Sequence, residues 1–283
     1  MLLTGVTGKT GGETARQLLA KGVRFRALVR NAGKAAGLKA AGVQLAVGDI
    51  AHADAVRRAL DGVEKALLIL PNGRTQQASE TQFTDLARAA GVKHLIKLSS
   101  MEAVAHARTP IPQGHWAVEE YIRASGLGWT MIKPNFFMQN LLTSAAGIKS
   151  QHRLSLPMGN GTTGMADVRD IAAVCVEVLT GAGHAGRSYE ITGPEILTFH
   201  DVAERFSEVL GVKIEYVPMP IEDFRERMKN VLEPWHLNAV CELFREIDEI
   251  GLDHTTGTVR QLLGREPIPL RQFIRDHAAS FRG

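Results

Sequence analysis

The amino-acid sequence predicts an α/β fold: a doubly wound parallel sheet with a smaller C-terminal lobe. Three observations predict it. Short β-rich runs alternate with helical patterns of ten or so residues from the start of the chain to Asn135, the mark of βαβ units. A glycine-rich run, Gly5 to Gly12, separates the first strand-like segment from the first helical one. The composition is that of a globular protein: 283 residues, 45% hydrophobic and 22% charged, which excludes disordered, collagen-like and coiled-coil chains. A chain of this length buries enough surface to need no disulfide or metal staple.

Taken in order, residues 1–4 read as a short strand. GETARQLLAKG follows with Ala15, Leu18 and Leu19 on one helical face and Gly22 as its stop. Strand VRFRALVR, a helix around KAAGLKAAG, strand VQLAVGD, helix ADAVRRALDG and strand KALLILP continue the alternation. Helix SETQFTDLARAAG, strand HLIKLSS, helix WAVEEYIRASG and strand WTMIKPN complete it. Beyond Asn135 the pattern loosens. FFMQNLLTSAAG reads as helix, SLPMGNGTTG as a loop, and DVRDIAAVCVEVLTG as a helix with Asp170 placed to cap it. Strand RSYEIT comes next, then Thr198-Phe199-His200-Asp201 as a capping-box start, strand-like KIEYVPMP, and a mainly helical remainder. Residues 1–135 are expected to form the sheet domain and residues 136–283 the smaller lobe, with 166–192 returning to the main sheet.

Charge and cysteine use narrow the function. Lys plus Arg number 33 against 30 Asp plus Glu, a formal +3, without the dense basic stripe that a nucleic-acid or anionic-membrane partner requires. No apolar run approaches the ~20 residues of a membrane span, and residues 1–4 run at once into glycines, unlike a signal peptide. The two cysteines, Cys175 and Cys241, sit in apolar helical runs without metal spacing. A cytoplasmic protein with a small-molecule substrate, no metal and room for a homodimer is the expectation.

Glycines 5, 8 and 11 give the spacing G-x-x-G-x-x-G. Gly5 permits the tight turn, Gly8 lets backbone approach a pyrophosphate, and Gly11 or Gly12 lets the helix pack against the strand. Phosphate would rest on the N–H groups at the positive end of the helix. Gly8-Lys9-Thr10 imitates the end of a P-loop, but that motif needs a glycine where Leu3 stands. A dinucleotide site of the Rossmann kind is therefore predicted. At the end of the second strand, where NAD-binding units place a carboxylate on the ribose, this chain has Arg30, with Lys34 nearby. A guanidinium binds a 2′-phosphate that a carboxylate repels, so NADP(H) is preferred over NAD(H). Asp49 and Ile50 after the third strand are placed to flank the adenine, although Asp49 serves equally well as a helix cap. Leu70 and Pro71 after the fourth strand, with Asn72, are placed to line the ribose.

Together GVTGKTGG, LVRN, VGDI, GVKHLIKLSS and HWAVEEYIRASGLGWTMIKPNFFMQN resemble the NmrA-like, atypical branch of the short-chain dehydrogenase/reductases. The likeness runs on through GHAGRSYEITGPEILTFHDVAE and LLGREPIPLRQFIRDHAASF. It is similar in particular to bacterial NADPH-dependent quinone, azo-dye and triphenylmethane reductases, and to ergot-alkaloid reductase-like members. The resemblance implies that Gly5, Thr7, Gly8, Lys9, Thr10, Gly11 and Arg30 hold the pyrophosphate and 2′-phosphate. It also implies that Lys133, Asn135 and Phe136 shape the nicotinamide pocket, with Asn135 on the carboxamide, and that a C-terminal lobe closes over the substrate.

Ordinary members of that superfamily use Tyr-x-x-x-Lys as proton donor. Here Tyr121, Tyr189 and Tyr216 are followed four residues later by Ser125, Gly193 and Pro220, so the pair is absent. In the atypical relatives the same helix carries His-x-x-x-Glu, which His115 and Glu119 supply. One helical turn puts both on one face, making His115 the candidate acid with Glu119 to orient or charge it; the alternative is a hydrogen-bonded histidine that supports the helix or lines a pocket. Ser99, closing the fifth strand, is a candidate for cofactor or oxyanion contact and equally for a strand-end cap. Without a dedicated acid, an already activated electrophile is the better substrate, because simple ketone reduction builds alkoxide charge. Met101, Trp116, Phe136, Phe137, Met138, Met158 and Trp235 are candidates for an adaptable apolar pocket, although each alone is more often a core residue. The expected function is an NADPH-dependent reductase acting on a planar quinone, azo or iminium compound. The alternatives are a non-catalytic NADP(H)-sensing regulator of the NmrA type and a cofactor-retaining isomerase or epimerase.

Overall fold

The computed structural model describes residues 1–252 and 254–282. Through the first half, strand and helix alternate: β1 Leu2–Leu3, α1 Lys9–Ala20, β2 Arg26–Val29, α2 Ala36–Ala40, β3 Gln44–Val47, α3 Ala53–Leu60, β4 Lys65–Leu68, α4 Gln76–Ala89, β5 His94–Leu98, α5 Pro110–Ala124 and β6 Gly128–Pro134. Next come α6 Ala145–Gln151, β7 Arg153–Leu154, β8 Thr162–Thr163, α7 Val168–Thr180, β9 Arg187–Ile191, β10 Leu197–Thr198, α8 Phe199–Leu210 and β11 Glu215–Tyr216. Five helices finish the chain: α9 Ile221–Met228, α10 Pro234–Ile250, α11 Thr258–Leu263, α12 Leu270–Asp276 and α13 Ala278–Phe281.

Two compact units result. The first comprises Met1–Ala107, Pro112–Lys133 and Ile171–Glu190; the second comprises Arg108–Ile111, Pro134–Asp170 and Ile191–Gly283. The first unit holds a seven-stranded sheet in the order β3-β2-β1-β4-β5-β6-β9. The ladders β1·β2, β1·β4, β2·β3, β4·β5 and β5·β6 are all parallel. Strand alternation sends Leu2, Leu28, Ala66, Leu68, Leu95 and Met131 into one core with Val56 and Leu60 of α3, Phe83 of α4 and Val118 and Ile122 of α5. The order reverses between β1 and β4, the place where ligands bind at the carboxyl ends of such sheets.

The second unit is built around Phe199, Val202 and Phe206 of α8, packed with Leu141, Leu154, Met158, Phe273 and Phe281. Helix α8 starts with a complete capping box: Thr198 Oγ1 accepts from Asp201 N, and Asp201 Oδ2 accepts from Thr198 N. Thr198→Ala is expected to cost about 1 kcal/mol, read as a lowered urea midpoint with unchanged slope; no shift would mean that packing alone sets the start of α8.

Several expectations are corrected. Helix α7 is capped by Asp167 rather than Asp170: Arg169 N donates to Asp167 Oδ1 at 2.8 Å. Asp170 lies within the first turn, where it accepts from Ile268 N and pairs with Arg265. Helix α5 starts at Pro110, six residues earlier than read, because proline needs no N–H partner in a first turn. Residues 138–144 form a 3-10 turn ahead of α6, and KIEYVPMP keeps only Glu215–Tyr216 as strand, since Pro218 and Pro220 lack donors.

Candidate dinucleotide site and its buried charge cluster

The end of β1 is tied to the end of β4 by Thr4, which the sequence reading missed. Its hydroxyl donates to Ile69 O at 2.9 Å and accepts from Ile69 N at 2.7 Å. Gly5 then turns with φ +66°, and a Cβ there would lie 2.8 Å from Ile69 O, so only glycine satisfies both the turn and the approach. A Cβ on Gly11 would fall 2.3 Å from Gly5 O, so α1 starts tight against the loop.

The loop residues fit a pyrophosphate. Gly8 is the N-cap of α1 without any side-chain cap, and the first turn holds no acidic residue. Such a helix end attracts an anion. Thr10 Oγ1 is buried without a hydrogen-bond partner, an orphaned donor in the middle of the cradle, while Thr7, Gly8 and Lys9 are exposed. Arg30, at the end of β2, is exposed and has no carboxylate partner among the described residues. Asp49 Oδ1 accepts from Ala51 N at 2.9 Å, so this carboxylate does cap the turn before α3. Ile50 and Leu70 are half-buried and Pro71 is exposed.

Beneath the carboxyl ends of β4, β5 and β6 lies a cluster of buried charge. Lys97 of β5 and Glu80 of α4 are both fully buried and paired at 2.7 Å. Lys97 Nζ also donates to His115 Nδ1 at 3.1 Å and to Leu98 O at 3.3 Å. His115 Nε2 lies 3.1 Å from Asn72 Oδ1. Burial, then the charges of Lys97 and Lys133, hold the His115 pKa well below the usual 6.5. Glu119 does not orient His115 as expected. Its carboxylate accepts from Ser99 Oγ at 2.5 Å and Arg123 at 2.6 Å, and Lys133 Nζ stands 3.5 Å away. Lys133 Nζ donates to Ala103 O at 2.6 Å. Sharing a helical face therefore gives His115 and Glu119 different partners. A lone lysine inside the apolar strand HLIKL was the available signal for this cluster, since a buried ammonium must find acceptors.

Other candidates divide between the units. Met101 is buried in the first unit, and Trp116 is covered by the Arg123 guanidinium 5.2 Å from its ring centroid. In the second unit, Asn135 Oδ1 accepts from Phe136 N and Thr163 Oγ1, and Asn135 Nδ2 is buried without a partner. Met138 and Met158 are core residues there, and Phe137 and Trp235 are half-buried. Among the described residues no cluster could hold a metal ion and no helix is long and apolar enough to cross a membrane.

Comparison with known proteins follows the same lines. The chain is 35% identical to an NAD(P)H azoreductase of Xenophilus azovorans over 99% of both chains. It is 33% identical to a (4-alkanoyl-5-oxo-2,5-dihydrofuran-3-yl)methyl phosphate reductase of Streptomyces griseus, again over 99% of both. An NADPH-dependent quinone oxidoreductase of Escherichia coli, solved in complex with NADPH, superposes with a TM-score of 0.87 at 26% identity, over 98% of this chain and 99% of that one. A family model described as the NmrA-like family matches residues 1–274, and the chain belongs to that family.

Proposed function

We propose that this protein is an NADPH-dependent reductase that delivers hydride to an already activated planar electrophile such as a quinone, azo or iminium compound. The carrying observation is the state of His115. The residue best placed on α5 to serve as an acid is buried, has both ring nitrogens engaged, and resists protonation. A site so furnished suits substrates that accept hydride without needing a proton in the same step. The named relatives support this reading: an azo bond, a quinone and an acyl-substituted dihydrofuranone all take hydride into a delocalised system.

Bound NADPH supplies the hydride. Of the chain's own residues, Gly5, Thr7, Gly8, Lys9, Thr10 and Gly11 with the N-terminus of α1 are assigned to the pyrophosphate, and Arg30 to the 2′-phosphate. Asp49, Ile50, Leu70 and Pro71 are assigned to the adenosine and ribose surfaces. Lys133 and Ser99 are held rigidly by Glu119, which fixes the polar floor at the ends of β5 and β6.

Anaerobic NADPH oxidation against a quinone, an azo dye, an iminium compound and a simple ketone tests the reading. Turnover of the first three with the ketone inert is expected; ketone turnover at a similar rate, or tight NADPH binding with no turnover of any, would overturn it. Tyr121 plays no part. Its hydroxyl donates to Asp85 on an exposed face, so Tyr121→Phe is expected to leave single-turnover hydride transfer within about a fewfold of the parent. A collapse of that rate with the fold intact would restore a phenol acid.

A further inference from the structure

The cluster beneath β4 and β5 has a directional logic. An ammonium carries three N–H donors and no acceptor, and Lys97 spends them on Glu80, Leu98 O and His115 Nδ1. His115 Nδ1 must therefore accept. Gln76 Nε2, a second donor near Nδ1 at 3.5 Å, points the same way. In the neutral ring the proton then sits on Nε2, which donates to Asn72 Oδ1. With its oxygen held, half-buried Asn72 is left with its Nδ2 donors, which have no hydrogen-bond partner among the described residues. Asn72 follows β4, at the border of the strand-order reversal where ligands bind.

We propose that Glu80, Lys97 and His115 form a tautomer lock, a set of positioning residues whose output is the Asn72 amide, fixed as a donor to an acceptor oxygen of the bound dinucleotide. The identity of that ligand rests on the reductase reading; the lock itself does not. Stability alone gives no reason for it, because a buried ion pair is often matched by apolar residues of similar volume. The surroundings keep the ring neutral from every side. Lys97 faces it from β5 and Lys133 from β6. Glu80 of α4 is engaged by Lys97, and Glu119, on α5 with His115, is engaged by Ser99, Arg123 and Lys133.

Long-range 1H–15N NMR of the ligand-free protein, with His115 assigned through the lost signal in His115→Asn, reads the tautomer directly. The neutral Nε2–H form is expected throughout about pH 5 to 8. An Nδ1–H form, or titration inside that range, overturns the lock. Glu80→Gln/Lys97→Met removes the ammonium donor to Nδ1 without orphaning the carboxylate, and in it His115, still buried and neutral, is expected to relax to a mixture of the Nδ1–H and Nε2–H forms; an unchanged Nε2–H form would show that Lys97 is not the lock. Calorimetry with NADPH is expected to show Asn72→Ala and that double variant weakened alike, by about 5- to 10-fold. Unchanged affinity in Asn72→Ala overturns the dinucleotide role of Asn72. A parent protein that shows the Nε2–H form but no NADPH affinity sinks the reductase reading instead, and leaves the lock supported.

Discussion

Lys97→Met is expected to destabilise the protein by about 3–5 kcal/mol, the usual cost of removing one partner from a buried ion pair. Both side chains of the Lys97–Glu80 pair are fully out of water. Methionine matches the lysine stem in length, so little of the loss would come from packing. It would come from the Glu80 carboxylate, left with only a 3.4 Å contact to Gln76 Nε2. Glu80→Gln/Lys97→Met should recover most of the stability, since a neutral amide is far cheaper to bury than a carboxylate. Urea denaturation of the three proteins decides it. A single variant as stable as the parent would show that the pair is not charged in the fold. A double variant no better than the single would place the cost in His115 rather than Glu80.

Arg30→Ala is expected to weaken NADPH binding by about 1.5–3 kcal/mol, the scale of a hydrogen bond to a charged group, and to leave NADH binding nearly unchanged. The difference arises because the exposed guanidinium has no carboxylate partner among the described residues and so meets a 2′-phosphate at no internal cost. Calorimetry with both dinucleotides separates the outcomes. Equal loss for the two would mean that Arg30 supports the fold of the β2 end, and the argument for NADPH from this residue would fail.

Much of this was legible in advance, and for identifiable reasons. The parallel sheet shows because buried strands such as KALLILP and HLIKLSS are short apolar runs separated by helices with one apolar face. The glycine loop shows because Gly5 and Gly11 are required sterically, and steric demands leave a residue-level trace. The buried cluster does not show. Glu80 stands in the polar opening of a helix, SETQF, where a carboxylate reads as solvent-facing, and its pairing with Lys97 depends on how α4 lies on β5. The same blindness misassigned the cap of α7. Asp167 and Asp170 are equivalent by type, and only the positions of Gln139, Arg265 and Ile268 choose between them. Likewise no periodicity distinguishes a 3-10 turn from an α-helix over residues 138–144.

The place of β9 beside β6 has a consequence for synthesis on the ribosome. The two strands are neighbours in the sheet, yet the chain between them must first supply α6, β7, β8 and α7. At ~5–20 residues per second, those ~50 residues take about 3–10 s to emerge. Throughout that interval β6, with the apolar side chains of Trp129, Met131 and Ile132 on its two faces, has β5 on one side and an open hydrogen-bonding edge on the other. An apolar edge of that kind pairs readily with another nascent chain. Any pause in translation between residues 135 and 186 lengthens the exposure, and a chain released there has no strand with which to close it.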